Sequence, residues 1–586
     1  MMRTKNQSSI MKLARLMGPH KAKLLFCVCS VLLVNGAELV KPYVLKILID
    51  DFFIGKQAEA GLHSIPGLGI LYFTIIAVGA LAAFSQAMLI NRIGQGILHE
   101  LRVKVFTHIH HMPLAILDRY GSGRLITRAT NDVETLNEFY SDVLVNLFRD
   151  VFLLIGIVVV MLQMDWRLAL VGFVTIPLIV LVTVSLRKKL RENFVVMKRL
   201  IGQINGFFAE NIAGMRIVQA FNRQTEKLAD FRALNKEYYR STMVQVIMNG
   251  FLRPMMEVIN SLAIALLVAY GYNAINSGVL EVGVLFAFTT YIKQFFEPIN
   301  DLAEKYTTIQ SALVSADRIY ELLDDTAGQE DLTTGHVAPL KGRVEFRDVW
   351  FAYEESAEPN WVLKGVSFIV EVGERVAFVG ATGAGKSTII NLISRFYVPQ
   401  RGQILVDDIP IEDWQLCALR AGVAVVLQDV FLFSGTIAEN VHIYSDISDE
   451  KVQESLRLSM AERFVMQLPG QLEAEVTERG STLSSGERQL LSFARAIAHD
   501  PAILVLDEAT ASIDTQTELL IQESIANISR GRTSIFIAHR LSTIRECDCI
   551  HVLERGLIVE SGNHEALMEK AGVYAALYQA QFEEIA

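Results

Sequence analysis

Residues 375–396 read RVAFVGATGAGKSTIINLISRF, and this stretch decides the fold of the second half of the chain. RVAFV is typical of a buried strand, residues 380–387 fit the pattern G-x-x-x-x-G-K-[ST], and a helix-forming segment follows. Glycines in such a loop let backbone N–H groups approach phosphates, Lys386 reaches the two outer phosphates, and the helix N-terminus adds positive potential. The stretch therefore predicts a strand, a phosphate-binding loop and a helix that together bind a nucleotide.

A second feature of the predicted phosphate site lies downstream, where the apolar run AILVL ends in Asp507 and Glu508. Phosphoryl transfer depends mainly on positioning and on charge stabilisation. Asp507 is therefore expected to hold the Mg²⁺ shell, and Glu508 to orient or deprotonate the attacking water. A strand merely capped by two acids is the alternative, and the loop upstream argues against it. The loop residues expected to contact the nucleotide are Gly380, Ala381, Thr382, Gly383, Ala384, Gly385, Lys386, Ser387 and Thr388.

The chain divides in two by composition. Apolar residues make up 51% and charged residues 20% of the 586 positions, but the long apolar runs all precede about residue 310. Later segments such as VEFRDVWFAY and LKGVSFIV are short strands of a soluble domain by their pattern. The two halves are therefore predicted to fold in different solvents. A net charge of −10 without a long basic tract argues against nucleic acid as the main partner.

Six apolar segments meet the length of a membrane helix, which needs about 20 largely apolar residues. They lie near 24–48, 66–92, 138–163, 167–187, 250–272 and 283–308. Lys and Arg collect in residues 1–23, 92–128 and 187–240, whereas the other connections are nearly free of them. Because basic residues stay on the cytosolic side, both termini are predicted to be cytosolic. The N-terminus lacks the pattern of a cleaved signal peptide.

The two long inner connections have helical periodicity, which predicts membrane helices that continue far into the cytosol. Each connection contains a turn, near residues 113–125 and near residues 210–221. These turns are expected to contact the nucleotide-binding domain. Solvated helical hairpins are the alternative.

Ionisable residues in the predicted membrane segments occur in pairs of opposite charge. Each such residue costs about 2.5–3.5 kcal/mol at a helix centre, and spacings of three or four place both members on one helix face. The pairs are Glu38 with Lys41, Arg253 with Glu257, and Lys293 with Glu297. They are predicted to neutralise each other in the bundle or near its ends, and lining a polar pathway is the alternative. Arg149 and Asp150 are adjacent, do not share a face and stay unassigned.

Further motifs accompany these features, and together they resemble the ATP-binding cassette (ABC) exporters over essentially the whole chain. Residues 483–489 read LSSGERQ, similar to the family signature LSGGQ, while residues 477–480 (TERG) resemble the X-loop and residues 511–514 (ASID) the D-loop. The roles that the resemblance implies for single positions are adenine stacking for Tyr353, the Q-loop for Gln428, the switch histidine for His539 and the D-loop aspartate for Asp514. The signature residues that it implies act on a partner's ATP are Ser484, Ser485, Gly486 and Glu487.

The resemblance also implies the domain organisation. It predicts an all-α six-helix transmembrane domain with long cytosolic helix extensions (residues 1–317), a linker (318–340) and an α/β P-loop ATPase domain (341–586). ATP and Mg²⁺ are the implied cofactors, with Ser387, Gln428 and Asp507 as metal ligands and with Glu508 and His539 as catalytic residues.

The resemblance implies a partner chain as well. Two cassettes close head to tail, so that each ATP lies between one chain's phosphate loop and the other chain's signature. One chain alone completes neither a nucleotide site nor the twelve-helix pathway of the family. The turns near 113–125 and 210–221 match the coupling helices that dock on the ATPase domains, and ATP binding opens the pathway outward.

The signature of this chain departs from the family pattern, and the departure bears on whether the partner is a second copy or a different chain. The signature has Ser485 where Gly is usual and Glu487 where Gln is usual, whereas Glu508 and His539 match the catalytic types. That asymmetry resembles bacterial heterodimeric exporters, in which an altered signature completes a weakly hydrolysing site on the partner. A heterodimer is therefore favoured, and a homodimer stays open.

ATP-driven export of an amphipathic or hydrophobic compound, such as a drug or a lipid, is the implied function, in the bacterial cell (inner) membrane. Peptide export is one alternative, and a nucleotide-gated channel or regulatory ATPase subunit is another. A soluble cassette protein is contradicted by the six apolar segments. The cysteines lack the paired spacing of a zinc site or a disulfide framework and are expected to be reduced packing residues; they are Cys27, Cys29, Cys417, Cys547 and Cys549.

Overall fold

The computed structural model describes residue 18 and residues 21–54, 64–325, 334–354, 359–507, 515–537 and 541–583. These residues form two compact units. The first unit comprises Met1–Thr107 with Arg124–Asp325, and the second comprises His108–Gly123 with Thr326–Ala586. All five cysteines lie in described segments and are free thiols, and Cys27 and Cys547 are buried as expected for packing residues. Cys29 and Cys417 are exposed, so the expectation of a packing role is wrong for these two.

The described residues up to 325 form helices joined by short turns and contain no strand. Its helices are α1 (Lys21–Ile47), α2 (Ile65–His110), α3 (Leu114–Tyr120), α4 (Ser122–Thr127), α5 (Val133–Glu138), α6 (Leu144–Met164), α7 (Trp166–Phe173), α8 (Ile176–Ala213), α9 (Met215–Ala220), α10 (Gln224–Asn276) and α11 (Val282–Asp324). Wider, π-helical turns extend α1 and connect α4, α5 and α6, at Leu48–Ile54, Arg128–Asp132 and Phe139–Val143. Helix α3 belongs to the second unit, together with the last three residues of α2 and the first two of α4, and the remaining residues of these elements belong to the first unit.

Five of the described helical stretches are long and apolar enough to cross a membrane. They are Lys21–Ile54, Ile65–His110, Ser122–Met164, Trp166–Ala213 and Gln224–Asn276, and they contain the first five predicted segments. The sixth predicted segment lies in the long helix α11 but is not among them, because Lys293, Gln294 and Glu297 lower its mean hydropathy. With 46 residues, α2 is about 70 Å long, more than twice the hydrocarbon thickness of a bilayer, so it is too long to lie wholly within one.

The core of the first unit lies where α6, α7, α8, α10 and α11 meet. Phe288, Tyr291 and Ile292 on α11 are fully buried there. The Tyr291 hydroxyl donates to the backbone carbonyl of Leu39 on α1 at 2.5 Å, which fixes α11 against α1. Side chains that are buried on several helices at once explain why these segments form a bundle rather than separate spans.

The predicted charge pairs have different outcomes. Lys41 and Glu38 form the expected ion pair, with Nζ and Oε1 2.7 Å apart. The side chain of Arg253 lies outside the described residues, so its pairing with Glu257 is not described. Lys293 and Glu297 are both exposed and form no ion pair with each other among the described contacts. For that pair the prediction is wrong, because a shared helix face permits a contact but does not require one.

Asp150, which the sequence leaves unassigned, belongs to a buried ion pair between two helices. Lys305 Nζ on α11 donates to Asp150 Oδ2 on α6 at 2.8 Å, and the two residues are only 8% and 1% exposed. Arg149 Nε lies 3.6 Å from the other carboxylate oxygen, and Asp301 lies 3.7 Å from Lys305. The pair therefore ties α6 to α11 in the first unit.

Asp150→Asn should lower the stability of the first unit, because it leaves the Lys305 charge buried with a weaker partner. Breaking a buried pair by removing one charge costs about 3–5 kcal/mol. We expect a lower midpoint of thermal unfolding for the purified full chain, and partial recovery in the charge-swapped variant Asp150→Lys with Lys305→Asp. Native-like unfolding of Asp150→Asn would contradict a stabilising role of this pair.

The second unit is an α/β structure, and its described residues form three sheets. Its strands are β1 (Val344–Phe351), β2 (Leu363–Val370), β3 (Arg375–Val379), β4 (Arg401–Val406), β5 (Ile409–Pro410), β6 (Val423–Val426), β7 (Gly435–Thr436), β8 (Glu475–Val476), β9 (Ile503–Asp507), β10 (Thr533–Ile537), β11 (Cys549–Glu554) and β12 (Leu557–Gly562). Its helices after α3 are α12 (Lys386–Ile393), α13 (Leu416–Gly422), α14 (Ile437–His442), α15 (Asp449–Leu458), α16 (Glu462–Val465), α17 (Ser485–Ala498), α18 (Thr515–Ile528), α19 (Leu541–Arg545), α20 (His564–Glu569) and α21 (Val573–Glu583). Short 3₁₀ turns occur at Gln471–Glu473 and Glu478–Gly480.

The six-stranded sheet positions the candidate site. Its strand order is β12-β11-β3-β10-β9-β6, and all neighbours are parallel except β12 with β11. Strands β10 and β9 are almost entirely buried, as expected for parallel strands covered on both faces. The four-stranded sheet, in the order β2-β1-β4-β5, is antiparallel, and its apolar face forms a core with β3 and α12. The predicted strands at 344–353, 363–370 and 375–379 are thus confirmed.

Candidate nucleotide site

The loop between β3 and α12 has a backbone that requires its glycines. Gly380, Gly383 and Gly385 have φ values of +150°, +83° and +107°. A Cβ atom on Gly380 would lie 2.2 Å from the carbonyl oxygen of Leu553, and one on Gly385 would lie 2.7 Å from the Leu363 side chain. Glycine adopts these backbone conformations without strain, and at Gly380 and Gly385 a side chain would also clash. This explains the spacing of the three glycines in the sequence.

Lys386 is held inside this loop. Its side chain is 6% exposed, and Nζ donates to the carbonyl oxygens of Gly380 at 2.6 Å and Ala381 at 3.1 Å. Burial lowers the pKa of Lys386, and the nearby charge of Asp507 opposes that shift. The ammonium group is thus kept at the loop, in the place where a cation would meet phosphate oxygens.

Helix α12 begins directly at the loop and presents its first turn to it. Its N-cap is Gly385, so no side chain accepts from the first-turn N–H groups. Those groups and the helix dipole favour an anion. Ser387 in the first turn is exposed, while Thr388 is buried. The donors and the cation present in this loop therefore fit the phosphates of a nucleotide.

The carboxyl ends of four parallel strands meet at the edge that carries the loop. The neighbouring residues across β3, β10, β9 and β6 are Phe378 with Ile537, Ile537 with Asp507, and Leu506 with Val426. In open parallel sheets, ligands bind outside this edge. The register therefore brings the phosphate loop, the end of β9 and the end of β6 to one place.

The predicted ligands and catalytic residues follow these strand ends in the chain. Asp507 is the last residue of β9, and Gln428 is exposed two residues after β6. Glu508, His539 and Asp514 lie outside the described residues, as does the whole of 511–514. The structure thus brings Asp507 and Gln428 to the edge of the phosphate loop and leaves the roles of the other three as predictions.

Tyr353, the predicted adenine contact, is anchored next to α12. Its hydroxyl lies 3.1 Å from Thr388 Oγ1 and accepts from Asn391 Nδ2 at 3.1 Å. The residue is 47% exposed, so its ring is fixed at the hydroxyl end yet open to solvent. A ring held in this way can stack on a planar base.

The signature residues form the N-terminus of α17. Ser484 is the N-cap, its hydroxyl accepts from the Glu487 backbone N–H at 3.2 Å, and the Glu487 carboxylate accepts from the Ser484 N–H at 2.8 Å. Ser485 and Gly486 are the first two residues of the helix. This reciprocal capping box explains why Glu is compatible with the helix start, and it places a carboxylate there.

Arg495 is a residue of this region that the sequence motifs did not indicate. From α17, its guanidinium donates to the backbone carbonyls of Asn440 at 2.8 Å and Phe431 at 2.9 Å. Burial lowers its pKa. Because Phe431 follows Gln428 by three residues, Arg495 fixes the loop after β6 to the signature helix. No spacing in the sequence signals this contact.

The two predicted inner turns are short helices. The first is α3, which belongs to the second unit, and the Tyr397 hydroxyl donates to Asp118 Oδ2 on it at 2.5 Å. The second is α9, which follows α8 after a turn at Gly214 in the first unit. Ile212, Ile217 and Phe221 around α9 are 66–72% exposed.

Comparisons with known proteins agree with this geometry. The family "ABC transporter transmembrane region" matches residues 24–299, and the family "ABC transporter" matches residues 363–511. A Bacillus subtilis (strain 168) protein named "Probable multidrug resistance ABC transporter ATP-binding/permease protein YheH" is 40% identical over 515 residues, which are 87% of this chain and 76% of that protein.

An "ATP-dependent lipid A-core flippase" of Syntrophus aciditrophicus (strain SB) is 34% identical over 98% of this chain and 94% of its own. Among solved structures, "Structure of a bacterial Atm1-family ABC exporter with ATP bound" has a TM-score of 0.79 and 28% identity, and the match covers 96% of this chain and 98% of that one. The fold class predicted from the sequence is thus confirmed. The chain belongs to the ABC transporter family, as an exporter-type protein in which a transmembrane region and an ATPase domain that drives transport share one polypeptide.

Proposed function

We propose that this chain is one half of a dimeric exporter that uses ATP hydrolysis to move an amphipathic or hydrophobic compound across the membrane. One observation carries the proposal. The phosphate loop, Asp507 and Gln428 share one edge of a parallel sheet, in a chain whose other unit contains helices long enough to span a bilayer. The proposed domains are a transmembrane domain (1–317), a linker (318–340) and an ATPase domain (341–586).

The proposed chemistry assigns a task to each part of the site. The loop N–H groups and Lys386 bind and orient the phosphates. Ser387, Gln428 and Asp507 offer hydroxyl, amide and carboxylate oxygens, the ligand types that Mg²⁺ prefers. The metal supplies charge neutralisation at the phosphates when it is bound. Glu508 orients or deprotonates the water and His539 acts beside it, as in the family they resemble.

A second chain is proposed to complete each site. Ser484, Ser485 and Gly486 at the start of α17 would face the partner's ATP, with Asp514 at the same interface. The exposed apolar side chains around α9 support a partner, because Ile217 and Phe221 lie in a connection predicted to be cytosolic. Large apolar side chains that are exposed close together are often covered by another protein surface.

The capping box favours a heterodimer over a homodimer. In this chain the Glu487 carboxylate occupies the helix start and accepts the N–H of Ser484. A carboxylate there opposes the positive potential that would attract the γ-phosphate of the partner's ATP. A dimer of two identical chains would carry this weakened signature at both sites. A partner with an ordinary signature would instead complete a strongly hydrolysing site with this chain's phosphate loop.

Expression of this chain alone tests that preference. The purified homodimer is expected to hydrolyse ATP slowly. The variant Ser485→Gly with Glu487→Gln is expected to hydrolyse it about thirtyfold faster, since two like charges at about 8 Å repel by roughly 2 kcal/mol at an effective dielectric constant of 20. The measurement is phosphate release per dimer. A native chain that already hydrolyses ATP as fast as the variant would support the homodimer and contradict the role given to Glu487.

A pocket in the first unit suits an amphipathic cargo. It has a volume of about 520 Å³ and is lined by apolar side chains such as Leu39 and Val160 together with Tyr43, Lys46 and Gln163. Pockets of this mixed character bind molecules with an apolar body and a polar group. The names of the multidrug and lipid relatives point to the same class of compound.

ATP-dependent uptake into inverted membrane vesicles tests the transport function. We expect accumulation of a hydrophobic drug or lipid that stimulates the ATPase, with both termini of the chain on the cytosolic face of the bacterial membrane. Persistent ionic current with ATP bound and no accumulation would support a nucleotide-gated channel instead. Accumulation of peptides alone would support peptide export.

A further inference from the structure

Tyr397 connects α12, the helix that begins at the phosphate loop, to the short helix α3. It follows α12 in the chain, is half-buried, and its hydroxyl donates to Asp118 Oδ2 at 2.5 Å. Burial and the neighbouring carboxylate raise the pKa of Tyr397 well above its usual range, so the hydroxyl stays a donor. A hydrogen bond to a charged carboxylate is about twice as strong as one between neutral groups.

The ring of Tyr397 is held by two other aromatic rings. It meets Tyr353 edge to face with ring centres 5.1 Å apart and an interplanar angle of 87°. It also contacts Phe351, at 5.6 Å and 73°, and Phe351 is 1% exposed. Such contacts have a preferred geometry, so a change in the Tyr353 ring plane alters its contact with Tyr397.

Tyr353 is the link from this ring cluster to the candidate nucleotide site. Its hydroxyl is bound to Thr388 and Asn391, both on the helix that begins at the phosphate loop. An unbroken series of direct contacts therefore runs from α12 through Tyr353 and Tyr397 to Asp118 on α3. Helix α3 follows the long helix α2 and precedes the short helix α4 along the chain, and only residues 111–113 separate α3 from the end of α2.

We infer that Tyr397 is a positioning residue that transmits nucleotide binding at Tyr353 to α3 through its hydrogen bond to Asp118. The inference rests on the proposed function, because it takes Tyr353 as the contact for the nucleotide base. Stacking of a base on one face of Tyr353 restricts that ring, and the edge-to-face contact passes the restriction to Tyr397. The carboxylate of Asp118 then moves with the Tyr397 hydroxyl. A hydrogen bond with only a structural role would instead hold α3 equally with and without nucleotide.

Hydrogen–deuterium exchange of the full chain in lipid nanodiscs tests this role. The probe is the ATP analogue AMP-PNP with Mg²⁺, and the readout is the nucleotide-dependent change in exchange of peptides covering residues 108–123. The native chain should show such a change. In Tyr397→Phe, which keeps the ring but removes the donor, the analogue should bind with a Kd within twofold of native while the change falls at least threefold.

Two further variants keep the test decisive. Tyr574→Phe is the matched control, because it removes a hydroxyl that lies 2.8 Å from His564 Nδ1 in the same unit, and it should leave the exchange change intact. Asp118→Ala removes the acceptor of the same hydrogen bond from an exposed position, so it should reduce the change in exchange as Tyr397→Phe does. It replaces Tyr397→Phe in the test if Tyr397→Phe folds poorly. The double variant Tyr397→Phe with Asp118→Ala should be no worse than either single variant, since both break one bond.

The outcomes separate this inference from the proposed function. Failure of the native chain to bind AMP-PNP would overturn the proposed function itself. Three other outcomes would overturn only the role of Tyr397. They are nucleotide binding with a full change in exchange in Tyr397→Phe or Asp118→Ala, additive losses in the double variant, and no nucleotide-dependent change in the native chain.

Discussion

Replacing Glu508 with Gln is expected to leave ATP bound and to slow its hydrolysis at least a hundredfold, because general acid–base catalysis typically contributes about 10²–10⁴. Gln keeps the size of the side chain but cannot take a proton from water. Glu508 directly follows Asp507, the last residue of a strand whose end lies at the edge of the phosphate loop. The measurement compares phosphate release with retained ATP, in the chain assembled with its partner.

The control for this variant is Glu450→Gln, which changes an exposed acid at the start of α15 in the same unit. It should hydrolyse ATP at the native rate. Hydrolysis at the native rate in Glu508→Gln would remove Glu508 from the mechanism, and loss of ATP binding would show that it acts in binding rather than in turnover.

Replacing Lys386 with Ala is expected to weaken ATP binding itself by about ten- to a hundredfold, since hydrogen bonds to charged groups contribute roughly 1.5–3 kcal/mol. The Lys386 ammonium group is buried within the phosphate loop and now donates to the carbonyls of Gly380 and Ala381. Its removal leaves the phosphates without their cation. Equilibrium binding of a fluorescent ATP analogue measures the effect.

Lys451→Ala is the matched control for this variant, because it removes an exposed lysine from α15. Its ATP affinity should equal that of the native chain. An unchanged affinity in Lys386→Ala would count against the assignment of the phosphate loop.

The sequence predicts those parts of the site that depend on short segments. The glycines at 380, 383 and 385 are required by the backbone of one turn, so their spacing is visible in eight consecutive residues. The strands β3 and β9 are visible because parallel strands buried on both faces become continuous apolar runs. Asp507 could be placed at a strand end for the same reason.

Contacts between distant segments could not be predicted in this way. Tyr397 and Asp118 are 279 positions apart, and Lys305 and Asp150 are 155 apart. A single tyrosine or lysine has no pattern that identifies its partner, since packing of whole elements decides which side chains meet. Arg495 is a third case, because its carbonyl partners are backbone groups that any sequence carries.

The predicted ion pairs in the membrane segments show the same limit of local spacing. Spacings of three and four residues correctly place Glu38 beside Lys41, but the same rule fails for Lys293 and Glu297. The rule describes proximity on an isolated helix, whereas the ion pair that is most buried joins two different helices. The spacing in the sequence therefore identifies charges that share a helix face, but the packing of the helices decides which charges form ion pairs.

The central claim is that ATP is hydrolysed between two chains and thereby drives the membrane helices. Separation of nanodiscs that hold one chain from those that hold two, followed by measurement of the ATPase rate per chain, tests it most directly. We expect hydrolysis only where two cassettes share a disc, either two copies or this chain with its partner. Nanodiscs with a single chain that hydrolyse ATP at the full rate would contradict it.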